Sequence, residues 1–207
     1  MSRHPIALTF DDGPSDWTGE ILEILAANHA TATFFVIGSL AASRVELVGQ
    51  IVAGGHELGN HTWSHPAMAR DCSDEVVVDE LAKTNVLLAE LFGSAPTLYR
   101  APHYDRDARV DQLASTLGLA HARGDIAPPD WHERWTAPLT ATFVLKHARP
   151  GAVIGLHDGI PPRDGAGASR AETVAAVALI VPRLHAAGFR CVTASRLFTE
   201  STSAGAR

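Results

Sequence analysis

The chain has 207 residues and a mass of 22.0 kDa, long enough to bury one substantial core. A hydrophobic share of 46% and a charged share of 19% are those of an ordinary globular domain. A net charge of -6 and a pI near 6.0 argue against nucleic acid or an anionic membrane as partner.

Ile6–Phe10 is a compact apolar strand, ended by the turn signal Asp11-Asp12-Gly13-Pro14. Ile21, Leu22, Ile24 and Leu25 repeat as one face of a helix. Thr33–Ile37 is β-branched and aromatic, and Gly38 stops it. A helix is expected from Val45 to Ala53, closed by Gly54-Gly55, and then a short strand, Glu57–Gly59. Ser73 is the expected N-cap of a long helix that closes at Gly93. Leu98-Tyr99, Leu119–Ala122 and Ala152–Ile154 read as further strands, with a last one at Phe189–Thr193. Helices are expected at Ala108–Leu117, Leu139–Ala148 and Arg170–Ala187. Residues 159–169, rich in glycine and proline, read as a substrate-covering loop or a plain connection. Residues 1–199 form one catalytic domain in this reading, and 200–207 a small, polar tail that frays.

About seven short strands separated by helices indicate parallel βα units. The expected fold is α/β, a distorted or incomplete (β/α) barrel of about seven parallel strands; alternation alone also permits a doubly wound open sheet. Cys72 and Cys191 lie far apart without metal-type spacing and read as two free thiols. No apolar run approaches the roughly 20 residues that span a bilayer. Nor does the N-terminus carry a signal-peptide pattern, so the expected location is the cytoplasm.

In a (β/α) barrel, functional groups gather at the C-terminal ends of the strands. Asp11, Asp12, His61, His65, Arg100, Asp125 and His157-Asp158 all follow predicted strands. His61 and His65, four residues apart, share one face if their loop is helical. Two histidines with one carboxylate and an open position make a catalytic zinc arrangement. Asp11 and Asp12 are neighbours at a strand end, so their side chains diverge, and one can bind metal while the other acts as a base.

Thr9-Phe10-Asp11-Asp12-Gly13-Pro14 and Asn60-His61-Thr62-Trp63-Ser64-His65 resemble the first two motifs of the NodB-like polysaccharide deacetylases, carbohydrate esterase family four. The resemblance continues through Arg100-Ala101-Pro102, Asp125–Trp131 and Leu156-His157-Asp158. It implies that Asp12, His61 and His65 hold one divalent ion, zinc by default, with cobalt or nickel as substitutes. Asp11 is then the general base, Arg100 its partner, and His157 the general acid. The acidic residue that orients His157 is assigned to Asp125, with Asp130 the alternative because Ala127-Pro128-Pro129 inserts a bend. The implied reaction is hydrolysis of a linear amide C–N bond, removing an N-acyl group, by default N-acetyl, from an amino sugar.

Pro102, His103, Tyr104, Trp131, Gly155 and Leu156 are the expected substrate-binding residues. Three of them depart from the family pattern. His103 and Tyr104 stand where an aromatic residue and then glycine are usual, and Gly155 replaces a leucine that faces the acyl methyl. The missing leucine predicts an acyl pocket wider than acetate needs. The partner is an N-acyl oligosaccharide or small molecule. Absence of an export signal makes a small, even non-sugar, biosynthetic intermediate the alternative substrate. A catalytically dead sugar-binding module is the alternative of another class; it predicts loss of a metal ligand, base or acid, and none is lost.

Overall fold

The computed structural model describes residues 4–163 and 168–204, with side chains described up to residue 200. Strands and helices alternate along it. The first half comprises β1 (His4–Gly13), α1 (Asp16–Ala27), β2 (Thr33–Val36), α2 (Gly38–Ser43), α3 (Val45–Ala53), β3 (Glu57–Asn60), α4 (Met68–Asp71) and α5 (Asp74–Phe92). The second comprises β4 (Leu98–Tyr99), α6 (Ala108–Thr116), β5 (Ala120–His121), α7 (Ala137–His147), β6 (Val153–His157), α8 (Ala171–Ala186), β7 (Phe189–Val192) and α9 (Ala194–Ala204).

All strand pairings are parallel, in the order β5-β4-β3-β2-β1-β6, with β7 beside the first residues of β1. Strands accrue in one direction from β1 to β5, and β6 then takes the other edge of β1. The chain after β5 bends across the remaining gap: Ile126 bridges Ile154, and Gly155 N–H donates to Ile126 O at 3.0 Å. The architecture is therefore the distorted seven-stranded (β/α) barrel expected. A doubly wound sheet would leave the edges beyond β5 and β6 apart, whereas here the Ile126–Ile154 bridge joins the chain after β5 to β6.

Period-two alternation on β1 sorts its residues into two layers. Ile6, Leu8 and Phe10 face the helices and join Phe34, Ile154 and Leu156 in the main core. Ala7 faces the barrel interior with Phe35, Ala122 and Val153. Thr9 and Asp11 share that inward parity, so the apolar strand turns into a site simply by ending in carboxylates. Phe10 and Phe34, in register on neighbouring strands, stack with centroids 5.0 Å apart.

Several boundaries differ from the sequence reading. Gly38, read as a strand stop, begins α2, where a Cβ would collide with Thr84 and Trp63. The short α4 was not anticipated either. Ser73 sits at the N-cap of α5, but its hydroxyl donates to Glu75 Oε2 at 2.8 Å instead of capping the helix. Helix α9 runs to Ala204, into the stretch read as a frayed tail, and residues 205–207 lie outside the described residues. Both cysteines are free. No described helix is long and apolar enough to cross a membrane.

Because Phe10 is fully buried in the stacked core, Phe10→Ala is expected to cost about 3–5 kcal/mol. Urea unfolding followed by circular dichroism measures this, and a loss under about 1 kcal/mol would contradict the packing described.

Candidate active site

The C-terminal ends of β1, β3, β4 and β6 open into a cavity of about 590 Å³ lined by Asp11, Asp12, His61, His65, His103, Tyr104, Trp131, Gly155 and His157, among others. Asp12 leaves the strand with φ 72°, in the left-handed region, and this turn separates its carboxylate from that of Asp11. Asp12 Oδ1 lies 3.1 Å from His61 Nε2 and 3.0 Å from His65 Nε2. All three side chains are buried, and their ligand atoms fall within 4.8 Å of one another. Tetrahedral bonds of about 2.1 Å would space ligand atoms by roughly 3.4 Å. The two Asp12–His contacts, at 3.1 and 3.0 Å, would need to widen only slightly to admit an ion.

The protein presents the right ring nitrogen for that purpose. His61 Nδ1–H donates to Arg100 O at 2.8 Å, so Nε2 is the nitrogen that faces Asp12: it donates to Asp12 Oδ1 while protonated and becomes the lone-pair nitrogen once that proton is lost. The His61–His65 loop is not helical. Left-handed turns at Thr62 (φ 65°) and His65 (φ 64°) bring the two imidazoles together instead. Burial alone would raise the Asp12 pKa and lower that of His61. Their mutual contacts outweigh burial in both cases, holding Asp12 well below the usual carboxylate range and raising His61. A metal ion would displace the His61 proton, so affinity must fall with falling pH.

Arg100 pairs with Asp11 as expected: Nη1 donates to Asp11 Oδ1 at 2.8 Å. On the other side of the cavity His157 Nδ1–H donates to Asp130 Oδ1 at 2.7 Å, and the His157 backbone N–H donates to Asp130 Oδ2 at 2.9 Å. Burial disfavours the imidazolium, but Asp130, with Asp12 and Asp11 behind it, raises the His157 pKa to about 9. His157 is therefore a cation at neutral pH.

Asp125, the residue assigned to orient His157, does not touch it. Its Oδ2 accepts from Val153 N–H at 2.9 Å and its Oδ1 pairs with Arg123 at 3.2 Å, so it secures the chain that closes the barrel against β6. The inserted Pro128-Pro129 bend carries the histidine's partner onward to Asp130. Two substrate-binding expectations also fail. Leu156 is fully buried in the helix-facing core, because strand alternation sends it away from Gly155 and His157. Pro102 is buried in the 3-10 turn Pro102–Tyr104 and does not line the cavity. His103, Tyr104 and Gly155 do line it, and Trp131 stands at its rim, 55% exposed.

The space over Gly155 is not vacant. A Cβ built there would meet Tyr104 Oη at 3.5 Å, so the tyrosine takes up room that the wider-pocket expectation left open. His103 packs edge-on against His65, centroids 4.7 Å apart. Ile160, Pro161 and Ala168 also border the cavity, whereas residues 164–167 of the proposed covering loop lie outside the described residues.

The sequence reading missed the residues that hold this geometry. Glu80 on α5 accepts from Trp63 N–H (2.8 Å), Ser64 N–H (2.7 Å) and Ser64 Oγ (2.7 Å), pinning the loop between the two histidines. Asn60 Oδ1 accepts from Thr62 N–H, Thr62 Oγ1 from His65 N–H, and Asp130 Oδ2 from Thr173 Oγ1. A lone glutamate in a helix carries no local signal of such a role.

Fold and site together define the class: a (β/α)-barrel hydrolase. The family model described as polysaccharide deacetylase matches residues 1–122. A chitooligosaccharide deacetylase of Sinorhizobium fredii is 37% identical over 189 residues, covering 89% of this chain and 87% of that protein. The peptidoglycan deacetylase PdaC from Bacillus subtilis has a similar structure, with TM-score 0.87 and 31% identity over 99% of this chain and 94% of that one. A family 4 acetyl xylan esterase from Clostridium thermocellum, solved in complex with a cobalt ion, gives TM-score 0.84 and 31% identity, covering 94% of this chain and 90% of that one. The chain belongs to the polysaccharide deacetylase family and is a deacetylase-class enzyme.

Two outcomes follow from the geometry. Glu80→Ala is expected to weaken divalent-metal binding about 10–100-fold in a competitive chelator titration, and unchanged affinity would show that the loop holds itself. His157 is expected to titrate near pH 9 by imidazole NMR, and Asp130→Asn to bring it down toward 6.5. Because the folded pKa is raised, the pair stabilises the protein fully below pH about 6.5. That contribution is lost as pH rises through 9. An Asp130→Asn variant with the same His157 titration would refute the pairing.

Proposed function

We propose that this protein removes the N-acetyl group from an N-acetylated amino sugar within an oligosaccharide, using a divalent ion on Asp12, His61 and His65. One observation carries the reading: a carboxylate held by Arg100 and an imidazolium held by Asp130 face the same metal-type trio within one cavity. Amide hydrolysis needs this division of labour, since an amine is a poor leaving group until it is protonated.

The three ligands fit such an ion in donor type and spacing. Zinc is the default, and the cobalt ion in the acetyl xylan esterase relative supports a site tolerant of other divalent metals. Bound there, the ion supplies Lewis-acid polarisation of the acyl carbonyl and acidifies an attacking water. Asp11 takes the proton of that water, and Arg100 keeps the carboxylate aimed into the cavity. His157, protonated at neutral pH, donates to the departing nitrogen as the C–N bond breaks, and acetate and the free amine leave. The names of the relatives support an oligosaccharide carrying N-acetylglucosamine as the substrate class, and the rim position of Trp131 suits a sugar ring stacking outside the cleft.

Zinc- or cobalt-loaded protein incubated with chitooligosaccharides is expected to release acetate and free amine in equal amounts. Asp11→Asn should lower kcat about 10²–10⁴-fold while retaining its metal. Turnover of a non-sugar amide with none of any N-acetyl sugar would overturn the substrate class.

A further inference from the structure

On β6, Gly155 has the same inward parity as His157 and lies one layer deeper in the barrel: Asp11 pairs with His157, and Thr9 with Gly155. The neighbours of a Cβ placed at 155 would be Tyr104 Oη at 3.5 Å, Arg100 Nη1 at 3.7 Å and Ala127 Cβ at 3.9 Å. At Gly124, across the same gap, a Cβ would stand 2.5 Å from Tyr104 Oη. The phenol end of Tyr104 is thus wedged between two glycines, and any larger residue at 124 would evict it. Consecutive left-handed residues, His103 (φ 55°) and Tyr104 (φ 53°), deliver the ring to this place. Tyr104 Oη has no hydrogen-bond partner among the described residues, so filling space is what the described contacts show it doing.

The reacting amide constrains which end of the substrate meets this wedge. Its nitrogen carries the sugar, which is too bulky to enter the barrel and must remain toward solvent. The acyl chain therefore points the other way, past Asp11 and His157 toward the Gly155 layer. We propose that Tyr104 is the specificity-determining residue for acyl length, closing the space over Gly155 so that the cavity accepts a two-carbon acyl group and excludes longer ones. The inference rests on the deacylase reading above and adds the acyl selectivity of that same site. A side chain reaching over from the loop after β4 thereby does the work that a branched side chain on β6 would otherwise do.

The magnitude is set by one methylene, worth about 10–200-fold in kcat/KM against a hydrophobic wall. The experiment compares N-acetyl, N-propionyl and N-butyryl glucosamine oligomers with wild type, Tyr104→Gly, Gly155→Leu and the double variant. Glycine suits the backbone at 104, because φ 53° is its own territory. Wild type is expected to favour acetyl over propionyl at least tenfold, and Tyr104→Gly to raise the propionyl-to-acetyl ratio at least tenfold. Gly155→Leu alone should lower both acetyl turnover and Tm, since its branched end must contend with Tyr104. In the Tyr104→Gly background the same leucine should cost much less of either. A ratio unmoved by Tyr104→Gly in a folded, metal-loaded variant would overturn the inference, as would a leucine equally damaging in both backgrounds. A wild type active on acetyl with unmoved ratios sinks this inference alone. A wild type that hydrolyses no N-acyl sugar sinks the deacylase reading and this inference with it.

Discussion

Arg100 is a guanidinium with no solvent exposure at the centre of a barrel, and the site is arranged around it. Desolvating such a cation costs several kcal/mol unless its donors are satisfied. They are met by Asp11 Oδ1 (2.8 Å) and Thr9 Oγ1 (2.7 Å) on β1 and, beyond β5, by Ala122 O (3.0 Å) and Arg123 O (3.3 Å). Thr9 Oγ1–H donates in turn to Ile154 O on β6 at 2.7 Å. The Arg100 backbone reaches the other way, its N–H to Asn60 O and its C=O to the His61 ring. One residue therefore positions Asp11, orients the His61 ring and sets the spacing of the strands that carry both. Its planar fork is what allows several fixed acceptors at once, which an ammonium could not match. The Phe35 ring lies 4.3 Å beneath the guanidinium, and Gly59 beneath that ring has no room for a Cβ.

Backbone strain collects at the same place. Asp12, Thr62, His65, His103 and Tyr104 all hold positive φ without being glycine. Each such residue costs of order 1–3 kcal/mol, and persists only where its surroundings over-determine it. Here the surroundings are visible: Asn60 and Thr62 tie down the turns of the histidine loop, and Glu80 clasps its middle. The strain has a use, because a regular strand or helix would point neighbouring side chains such as Asp11 and Asp12 to places fixed by its own period. Leaving the regular geometry lets Asp12 face two histidines while Asp11 faces Arg100.

The two carboxylate partnerships divide the cavity electrically. Asp11 is neutralised by a permanent cation, Arg100. Asp130 is matched to a cation that can lose its proton, His157. Asp130 is itself held at both oxygens, by the His157 backbone and ring and by Thr173 of α8. The His157 side of the site is therefore anchored to a helix on the barrel's outside as well as to its strand.

Composition, the alternation of short apolar strands with helical stretches, and the placement of Asp11, Asp12, His61, His65, Arg100 and His157 after strands were enough to read the barrel and a two-histidine, one-carboxylate donor set, while the choice of Asp12 and the Asp11–Arg100 pair came from the resemblance to the polysaccharide deacetylases. Those features are local or periodic: an inward parity on β1 and a His-x-x-x-His spacing survive in one dimension. The choice of Asp130 over Asp125 was not legible, because both follow the same strand and only the path of the Pro128-Pro129 bend decides which carboxylate reaches His157. Nor was the filling of the Gly155 gap by Tyr104, since the two residues are far apart in the chain and meet only when the barrel closes. Glu80 and Thr173 belong with these, as helix residues whose partners lie in other elements. Sequence by itself determined which chemical groups the site would own and the fold that would carry them. Tertiary structure decided which group each one faces, because a side chain's partner depends on how strands curl and loops bend across long separations, and no local pattern encodes that.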